Sequence, residues 1–314
     1  MIHLSPQEVH RHLTLKVAFD AVAEALISVA SGAAQLNPVV VGRGLNEGEI
    51  FSIKSGLVRQ GPVIGLKVGS YWPGNAAKDL PRHASMVFLL DPETGQVAAV
   101  VEASELNGPR TAAADAVAAS VLARKNATTL AVLGAGHQAA HEVRALCAIH
   151  PIERVLVASR TSSSAHRLRE ILAREFTMAV EATTVEEACR EADILVTVTP
   201  AQSALFQSEW IRPGTHIATM GSDQVGKQEL PIALARQARL FCDLPRQSLS
   251  IGEFQHIRAD VESGELKLTA IGDVLTGRCP GRETDTEITI FDSSGLAAQD
   301  LLLSAKIVQM SQEV

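Results

Sequence analysis

The sequence predicts an α/β protein, with a Rossmann-type doubly wound parallel sheet and a second, α+β domain formed by the N-terminal part and a C-terminal helix. Three observations carry that expectation. From Thr129 onward, short apolar runs alternate with helical segments, the rhythm of parallel strands joined by crossover helices. Between Leu36 and Glu102 the apolar runs follow one another without helices, as in a mostly antiparallel sheet. From Leu296 onward the chain is rich in Leu and Ala and reads as a closing helix that packs back on the first domain. A chain of 314 residues is long for one hydrophobic core. The expected division is 1–112 plus 295–314 for substrate binding and dimerisation, and 113–294 for a dinucleotide.

Taken in order, Ser5-Pro6-Gln7-Glu8 starts a helix: Ser5 caps, Pro6 fits the first helical position and Glu8 completes a capping box. Leu15, Phe19, Val22, Leu26 and Val29 continue it at three- and four-residue spacing until Gly32. Strands follow at Val39–Val41, Ile50–Ile53, Val63–Val68, Met86–Leu90 and Val97–Val101, the last two joined as a hairpin by Asp91-Pro92-Glu93-Thr94-Gly95. An Ala-rich helix opens after Arg110. The parallel strands are expected at Thr129–Leu133, Arg154–Ser159, Ile194–Val198, His216–Met220, Leu240–Cys242 and Thr289–Phe291.

Composition narrows the function. Hydrophobic residues make up 46% and charged residues 20%, ordinary for a globular enzyme. A net charge of −7, without a basic cluster, excludes a nucleic-acid binder. No apolar run approaches the roughly 20 residues that cross a bilayer, and Met1-Ile2-His3-Leu4 does not open a signal peptide. Cys147, Cys189, Cys242 and Cys279 form no C-x-x-C pair and read as free thiols. A cytoplasmic protein without a metal site is expected.

The strand Thr129–Leu133 runs into Gly134-Ala135-Gly136-His137-Gln138-Ala139, a G-x-G-x-x-A turn opening a helix. Gly134 permits the turn, Gly136 lets the backbone approach a pyrophosphate, and the helix N-terminus favours its negative charge. NAD enzymes place a carboxylate at the end of the next strand to hold the ribose 2′-OH. Here that strand ends in Ser159-Arg160-Thr161, a cation flanked by hydroxyls, which suits a 2′-phosphate. The expected cofactor is therefore NADPH, with NADH as the alternative.

At these residues the sequence resembles the ornithine cyclodeaminase/μ-crystallin family. The resemblance rests on Gly65-Leu66-Lys67-Val68, Leu90–Gly95, Arg110-Thr111-Ala112-Ala113, Gly134–Gln138, Gly221-Ser222-Asp223-Gln224-Val225-Gly226-Lys227-Gln228-Glu229-Leu230 and Phe291-Asp292-Ser293-Ser294-Gly295, in that order. It implies a homodimer built through the non-Rossmann domain and an active site in the cleft between domains. It also implies roles for particular residues. Lys67 matches a lysine beside the substrate's carboxylate and reacting carbon, although a lysine in an apolar strand is ordinarily an edge residue. Arg110 matches the arginine that holds the substrate carboxylate by a two-pronged contact. At the opening of a helix a cation is poorly placed unless an anion binds nearby. Asp223 matches a proton-transfer acid/base, where a turn-forming Asp is the plain alternative.

The resemblance adds Arg43 to the substrate set, and Lys54, in the same strand region, is a candidate to substitute or assist, with Ser294 a further substrate candidate. It places Arg82, Arg110, Thr111, Gly134, Gly136, His137, Gln138, Ser159, Arg160, Thr161, Thr199, Met220, Lys227 and Ser293 at the dinucleotide. His83 is a weaker candidate, equally readable as packing. Where cyclodeaminase members carry an Asp after the second strand, this chain has Ser159-Arg160, and Glu105-Leu106-Asn107-Gly108-Pro109 replaces their lead into the arginine. Tyr71-Trp72-Pro73-Gly74-Asn75 with Asn107–Arg110 is more similar to the Δ1-pyrroline-2-carboxylate reductase branch. The implied activity is NAD(P)H-dependent reduction of Δ1-pyrroline-2-carboxylate, and of its six-membered homologue, to L-proline or L-pipecolate, in proline metabolism and hydroxyproline degradation. The alternatives are an ornithine cyclodeaminase, an amino-acid dehydrogenase and a non-enzymatic NADPH-dependent binding protein.

Overall fold

Ser5 caps helix α1 (Pro6–His12): its hydroxyl accepts the Glu8 N–H while the Glu8 carboxylate accepts the Ser5 N–H at 2.8 Å. A short strand, β1 (Ile2–Leu4), precedes it. The single helix expected up to Gly32 is two helices. Leu13 is extended, and the Thr14 hydroxyl accepts the Val17 N–H, a second N-cap that starts α2 (Leu15–Ala30). The apolar face survives the break, burying Ala18, Val22, Ala25 and Leu26.

The computed structural model describes residues Met1–Glu313 and divides into two units, Met1–Arg110 with Leu296–Val314, and Thr111–Gly295. The sheet of the first unit contains β1, β2 (Ala34–Leu36), β3 (Val40–Arg43), β4 (Ile50–Val58), β5 (Val63–Tyr71), β6 (His83–Leu90) and β7 (Val97–Glu102). The order is β1-β7-β6-β5-β4-β2, with β3 also paired to β4. Every pair is antiparallel except β1 with β7. The β6–β7 turn is locked by Asp91, whose Oδ1 accepts the N–H groups of Glu93 and Thr94.

Helix α3 (Ser104–Leu122) begins before the expected start at Thr111, so Arg110 lies within the helix and does not open it. Pro109 lies inside this helix, where it cannot donate to the Glu105 carbonyl and its ring crowds that group. The argument that a helix N-terminus leaves the Arg110 charge unfavourably placed is withdrawn with that boundary.

The second unit contains β8 (Thr129–Leu133), α4 (His137–Cys147), β9 (Arg154–Ala158), α5 (Ser162–Glu175), β10 (Ala179–Ala182), α6 (Val185–Glu191), β11 (Ile194–Thr197) and β12 (His216–Thr219). There follow β13 (Ala238–Cys242), α7 (Pro245–Ile251), α8 (Arg258–Glu262), β14 (Leu268–Ala270), α9 (Ile271–Leu275) and β15 (Ile288–Asp292). The eight strands are all parallel, in the order β10-β9-β8-β11-β12-β15-β13-β14. Chain direction across the sheet reverses at β8, and the carboxyl ends of strands at such a switch point are where doubly wound folds bind ligands. β9, β11 and β12 are buried almost throughout, as helices on both faces require. Even His216 is enclosed, bonded to Thr289 at 2.9 Å, and burial pushes its imidazole down to about 3.

Helix α10 (Ala297–Gln312) belongs to the first unit, where it packs on α2 and across β4, β5 and β6. Leu301, Leu302 and Leu303 are all buried, so the helix has an unusually wide apolar face.

Phe291, fully buried on β15, tests the central core of the second unit. Phe291→Ala is expected to lower unfolding stability by about 3–5 kcal/mol, the usual cost of emptying an aromatic site. An unchanged denaturant midpoint would show that this position is not packed.

Candidate active site

In the first unit, Lys67 and Arg110 come together around a residue that the sequence reading did not include. Lys67 on β5 donates to Asp300 Oδ1 at 2.9 Å and to Asn107 Oδ1. Arg110 on α3 donates from Nε to the same Asp300 oxygen at 3.1 Å and from Nη1 to Gln299 Oε1 at 3.3 Å. All three ionisable groups are buried, with Asp300 only 2% exposed. Asn107 is itself oriented by donating to the Ser85 hydroxyl at 2.7 Å. Burial pushes the Lys67 ammonium down to about 8, with Asp300 working against that fall and Arg110 and Lys54 reinforcing it. Burial alone would raise the Asp300 carboxyl, but Arg110 and Lys67 outweigh it and hold the group below its usual range.

Arg110 therefore has both Nε and Nη1 committed to α10, to Asp300 and Gln299. Lys54 lies directly across from Lys67 in the β4–β5 register, partly buried. Arg43 ends β3 and is exposed, as are Arg82 and His83. The His83 ring stacks at a tilt on Tyr71 with centroids 4.7 Å apart, which favours the packing reading of that residue. Three cations, Lys54, Lys67 and Arg110, thus influence one another with Asp300 as their shared carboxylate.

In the second unit, β8 passes into the Gly134–Gly136 turn. Gly134 has φ +123°, and a Cβ there would lie 2.6 Å from the Val198 carbonyl oxygen, so only glycine fits. Gly136 caps α4 without any side-chain hydrogen bond, and a Cβ built on it meets no atom within 4 Å. An uncapped helix N-terminus facing open space fits a pyrophosphate. His137 and Gln138 form the first turn of α4. The His137 ring meets His141 edge-on at 4.8 Å, and Gln138 donates to Glu142 at 2.7 Å. Beyond β9, the Ser159 hydroxyl accepts the Thr161 N–H, the Thr161 hydroxyl donates to Ser164, and Arg160 is exposed. Thr111, in α3, is partly buried.

The Gly221–Leu230 segment follows β12 and is held by two buried glutamates. Glu229 accepts from the Gly221 N–H, the Thr199 N–H and hydroxyl, and the Thr197 hydroxyl, between 2.6 and 2.9 Å. Glu253 accepts from the Ser222 hydroxyl and the N–H groups of Glu229 and Leu230. Burial raises both carboxyls, Glu229 to about 7, against the pull of these donors. Asp223 projects outward, its side chain 52% exposed, and accepts from Lys227 Nζ at 2.6 Å. Lys227 also donates to the Gly221 carbonyl. Met220, buried beneath, gives its N–H to the Thr197 carbonyl. At the end of β15, Ser293 and Ser294 both donate to Asp243.

The sequence reading missed Asp300, Gln299 and the buried carboxyls Glu253 and Asp243. Asp300 follows Gln299 in an otherwise apolar Leu296–Leu303 run, a weak signal that the sequence reading did not use. Glu229 lies inside a quoted motif, but its role as the hub of a loop is legible only in three dimensions.

Gly134→Ala, which forces the turn away from the Val198 carbonyl, should lower dinucleotide affinity at least about tenfold. Titrating nicotinamide fluorescence against wild type and variant checks this; equal affinities would remove the turn from the site.

The family model described as "Ornithine cyclodeaminase/mu-crystallin family" matches residues 2–313. The iminosuccinate reductase of Paracoccus denitrificans is 38% identical over 312 residues, 99% of this chain and 97% of the relative. Its crystal structure in complex with NAD+ superposes with a TM-score of 0.93, covering 100% of this chain and 97% of that one. The alanine dehydrogenase of Archaeoglobus fulgidus is 35% identical, covering 97% of this chain and 93% of the relative. The Δ1-pyrroline-2-carboxylate reductase of Thermococcus litoralis, solved with NADH and L-proline, is 26% identical with a TM-score of 0.92, covering 100% and 98%. With a family match over nearly its full length and this fold, the chain belongs to the ornithine cyclodeaminase/mu-crystallin family and, within it, to the oxidoreductases.

Proposed function

We propose that this protein reduces the C=N bond of a 2-imino acid with a nicotinamide dinucleotide, giving the 2-amino acid. The observation that carries the reading is the charge of the first unit: Lys54, Lys67 and Arg110 share one carboxylate, Asp300, leaving positive charge for the α-carboxylate of an anionic substrate. Arg110 receives that carboxylate at its Nη end, and Lys67 lies beside the reacting carbon; Arg43 and Ser294 are further substrate contacts in this reading. The bound nicotinamide supplies hydride chemistry, so the chain contributes placement, charge and one proton. That proton goes to the imine nitrogen from Lys67 or Asp223, because an iminium is the better hydride acceptor. A protein that only binds a dinucleotide has no use for a buried ammonium.

The cofactor half rests on the Gly134–Gly136 turn, with His137, Gln138, Thr111, Thr199, Met220, Lys227, Ser293 and Arg82 as further contacts. Arg160, exposed between two hydroxyl residues, supports NADPH over NADH. The substrate from the sequence reading is Δ1-pyrroline-2-carboxylate, supported by the likeness to the Thermococcus litoralis enzyme. A second substrate, iminosuccinate, is favoured by the 38% identity over nearly the whole chain and by cations enough for two carboxylates. A homodimer is part of the reading, supported by an archaeal alanine dehydrogenase of 32% identity and TM-score 0.92 solved as a dimer with bound NAD.

The deciding experiment follows absorbance at 340 nm with each imine and each reduced cofactor. One cofactor consumed per amino acid formed is expected. Ammonia released from L-ornithine with no net cofactor change would replace the reductase by a cyclodeaminase. In the same assay Arg160→Ala should lower kcat/KM with NADPH by about tenfold or more and leave NADH nearly unchanged. Equal losses with both cofactors would mean that Arg160 does not read the 2′-phosphate.

A further inference from the structure

We propose that Asp115 and Glu142 share one proton, and that this proton ties α3 to the first turn of α4 and so sets the affinity for the dinucleotide. The proposal rests on the dinucleotide reading of the Gly134–Gly136 turn, and makes both carboxyls positioning residues for it. Residues 112–119 of α3 are all buried, and every one except Asp115 is Ala or Val. Glu142 is also fully buried, on the face of α4 that carries Ala139, Val143 and Leu146. Among the described residues neither oxygen of Asp115 receives a hydrogen bond from a donor, and its polar neighbour is the Glu142 carboxyl. Two ionised carboxylates are both acceptors and cannot bond to each other. One proton makes Asp115 a donor, and the contact becomes a charge-assisted O–H···O⁻ bond, a short and strong kind.

Glu142 Oε1 in turn accepts from Gln138 Nε2 at 2.7 Å. A line of hydrogen bonds thus runs from α3 through both carboxyls to the first turn of α4, whose N-terminus has no side-chain cap. Asp115 lies one helical turn after Thr111, and Glu142 one turn after Gln138. Each carboxyl therefore stands behind a residue proposed to touch the dinucleotide. Packing alone does not account for the pair, because an apolar residue at 115 would continue the run without the cost of burying a carboxyl.

Other ionisable groups on these elements have partners of their own. Arg110 on α3 is bonded to Asp300, and Arg144 on α4 to Glu175. His137 and His141 meet each other on α4, and His150 bonds the backbone of Ala119 on α3. Glu142 is the ionisable group that acts on Asp115. Burial, the larger influence, raises the Asp115 carboxyl to about 7 against the pull of the Glu142 bond. Below that midpoint the pair keeps its proton. Above it the O–H bond breaks, the proton passes to solvent, and two carboxylates repel each other between α3 and α4. The folded carboxyl holds its proton to higher pH than the unfolded one, so its contribution to stability is present in acid and lost as pH rises toward 7.

The test titrates NADH fluorescence with the whole protein from about pH 6 to about pH 9, where NADH itself does not titrate. Wild-type affinity should fall about fivefold or more as pH rises through the midpoint, the usual scale of coupling between two sites. Asp115→Asn, whose amide donates to Glu142 at every pH, should abolish the fall. Glu142→Gln accepts from Gln138 and donates to Asp115, so it should do the same, and it gives a second reading if Asp115→Asn does not fold. Calorimetry in two buffers of different protonation heat should find proton uptake as the wild type binds NADH at about pH 8, and its loss in both variants. Without ligand, the Tm gained by Asp115→Asn should grow between about pH 5 and about pH 7 and stay level above. A wild-type affinity level across the range, or a fall unchanged in both variants, overturns the coupling to the dinucleotide. A Tm gain independent of pH overturns the shared proton. Failure of the wild type to bind NADH at any pH sinks the dinucleotide reading, a result separate from the Tm series.

Discussion

A carboxylate removed from water has to be matched by positive charge, and the first unit is organised around that requirement at Asp300. The oxygen that takes Lys67 Nζ and Arg110 Nε draws together β5, α3 and α10, three elements far apart in sequence. The desolvation cost of such a cluster is several kcal/mol per ion before pairing recovers it. Arg110, Lys67 and Lys54 all act on that single carboxylate and hold it below its usual range. Local choices serve the same end. Ser85 orients Asn107, Asn107 holds Lys67, and the Gln299 carbonyl braces Arg110.

The second unit meets the same constraint with neutral donors in place of cations. Glu229, Glu253, Asp243 and Asp292 are buried near the carboxyl ends of the parallel strands, where backbone N–H groups and hydroxyls surround them. Glu229 fastens the start of the Gly221 turn to the end of β11, and Asp243 fastens Ser293, Ser294 and Gly295. Burial, and after it the Asp243 charge, raise the Asp292 carboxyl well above its usual range, although it accepts from the Ser248 and Thr219 hydroxyls. The loops are thus pinned from below, while Asp223 on the outside faces solvent.

What was legible in the sequence follows from how local each signal is. The turn at Gly134 could be read because strand, glycines and helix are contiguous and each glycine has a separate steric reason. Ser5 and Glu8 announce a cap three residues apart. Thr14 escaped notice because the apolar spacing runs unbroken across it. The strands Ala34–Leu36, Ala179–Ala182 and Leu268–Ala270 are too short for their pairing to leave a period in sequence. Arg110 was placed at a helix start because the Ala-rich run begins only after it, whereas the helix opens at Ser104. Asp300 lay out of reach for another reason. Its partners are 190 and 233 residues away, and a lone Asp in a helix is ordinarily a solvated residue.

The division of the chain also bears on the order of its synthesis. The residues of the second unit are contiguous, so it can close its sheet once Gly295 has been made. The first unit lacks α10 until Ala297–Gln312 have been made, and until then Lys67 and Arg110 have no Asp300 between them and α2, β4 and β5 lack the helix that packs on them. The nascent N-terminal segment must therefore wait, incompletely folded, while the later-made unit matures ahead of it, reversing the usual precedence of N-terminal domains. Chains that stop short of α10 are expected to lose the first unit and keep the second, because only the first is built from two separated stretches of sequence.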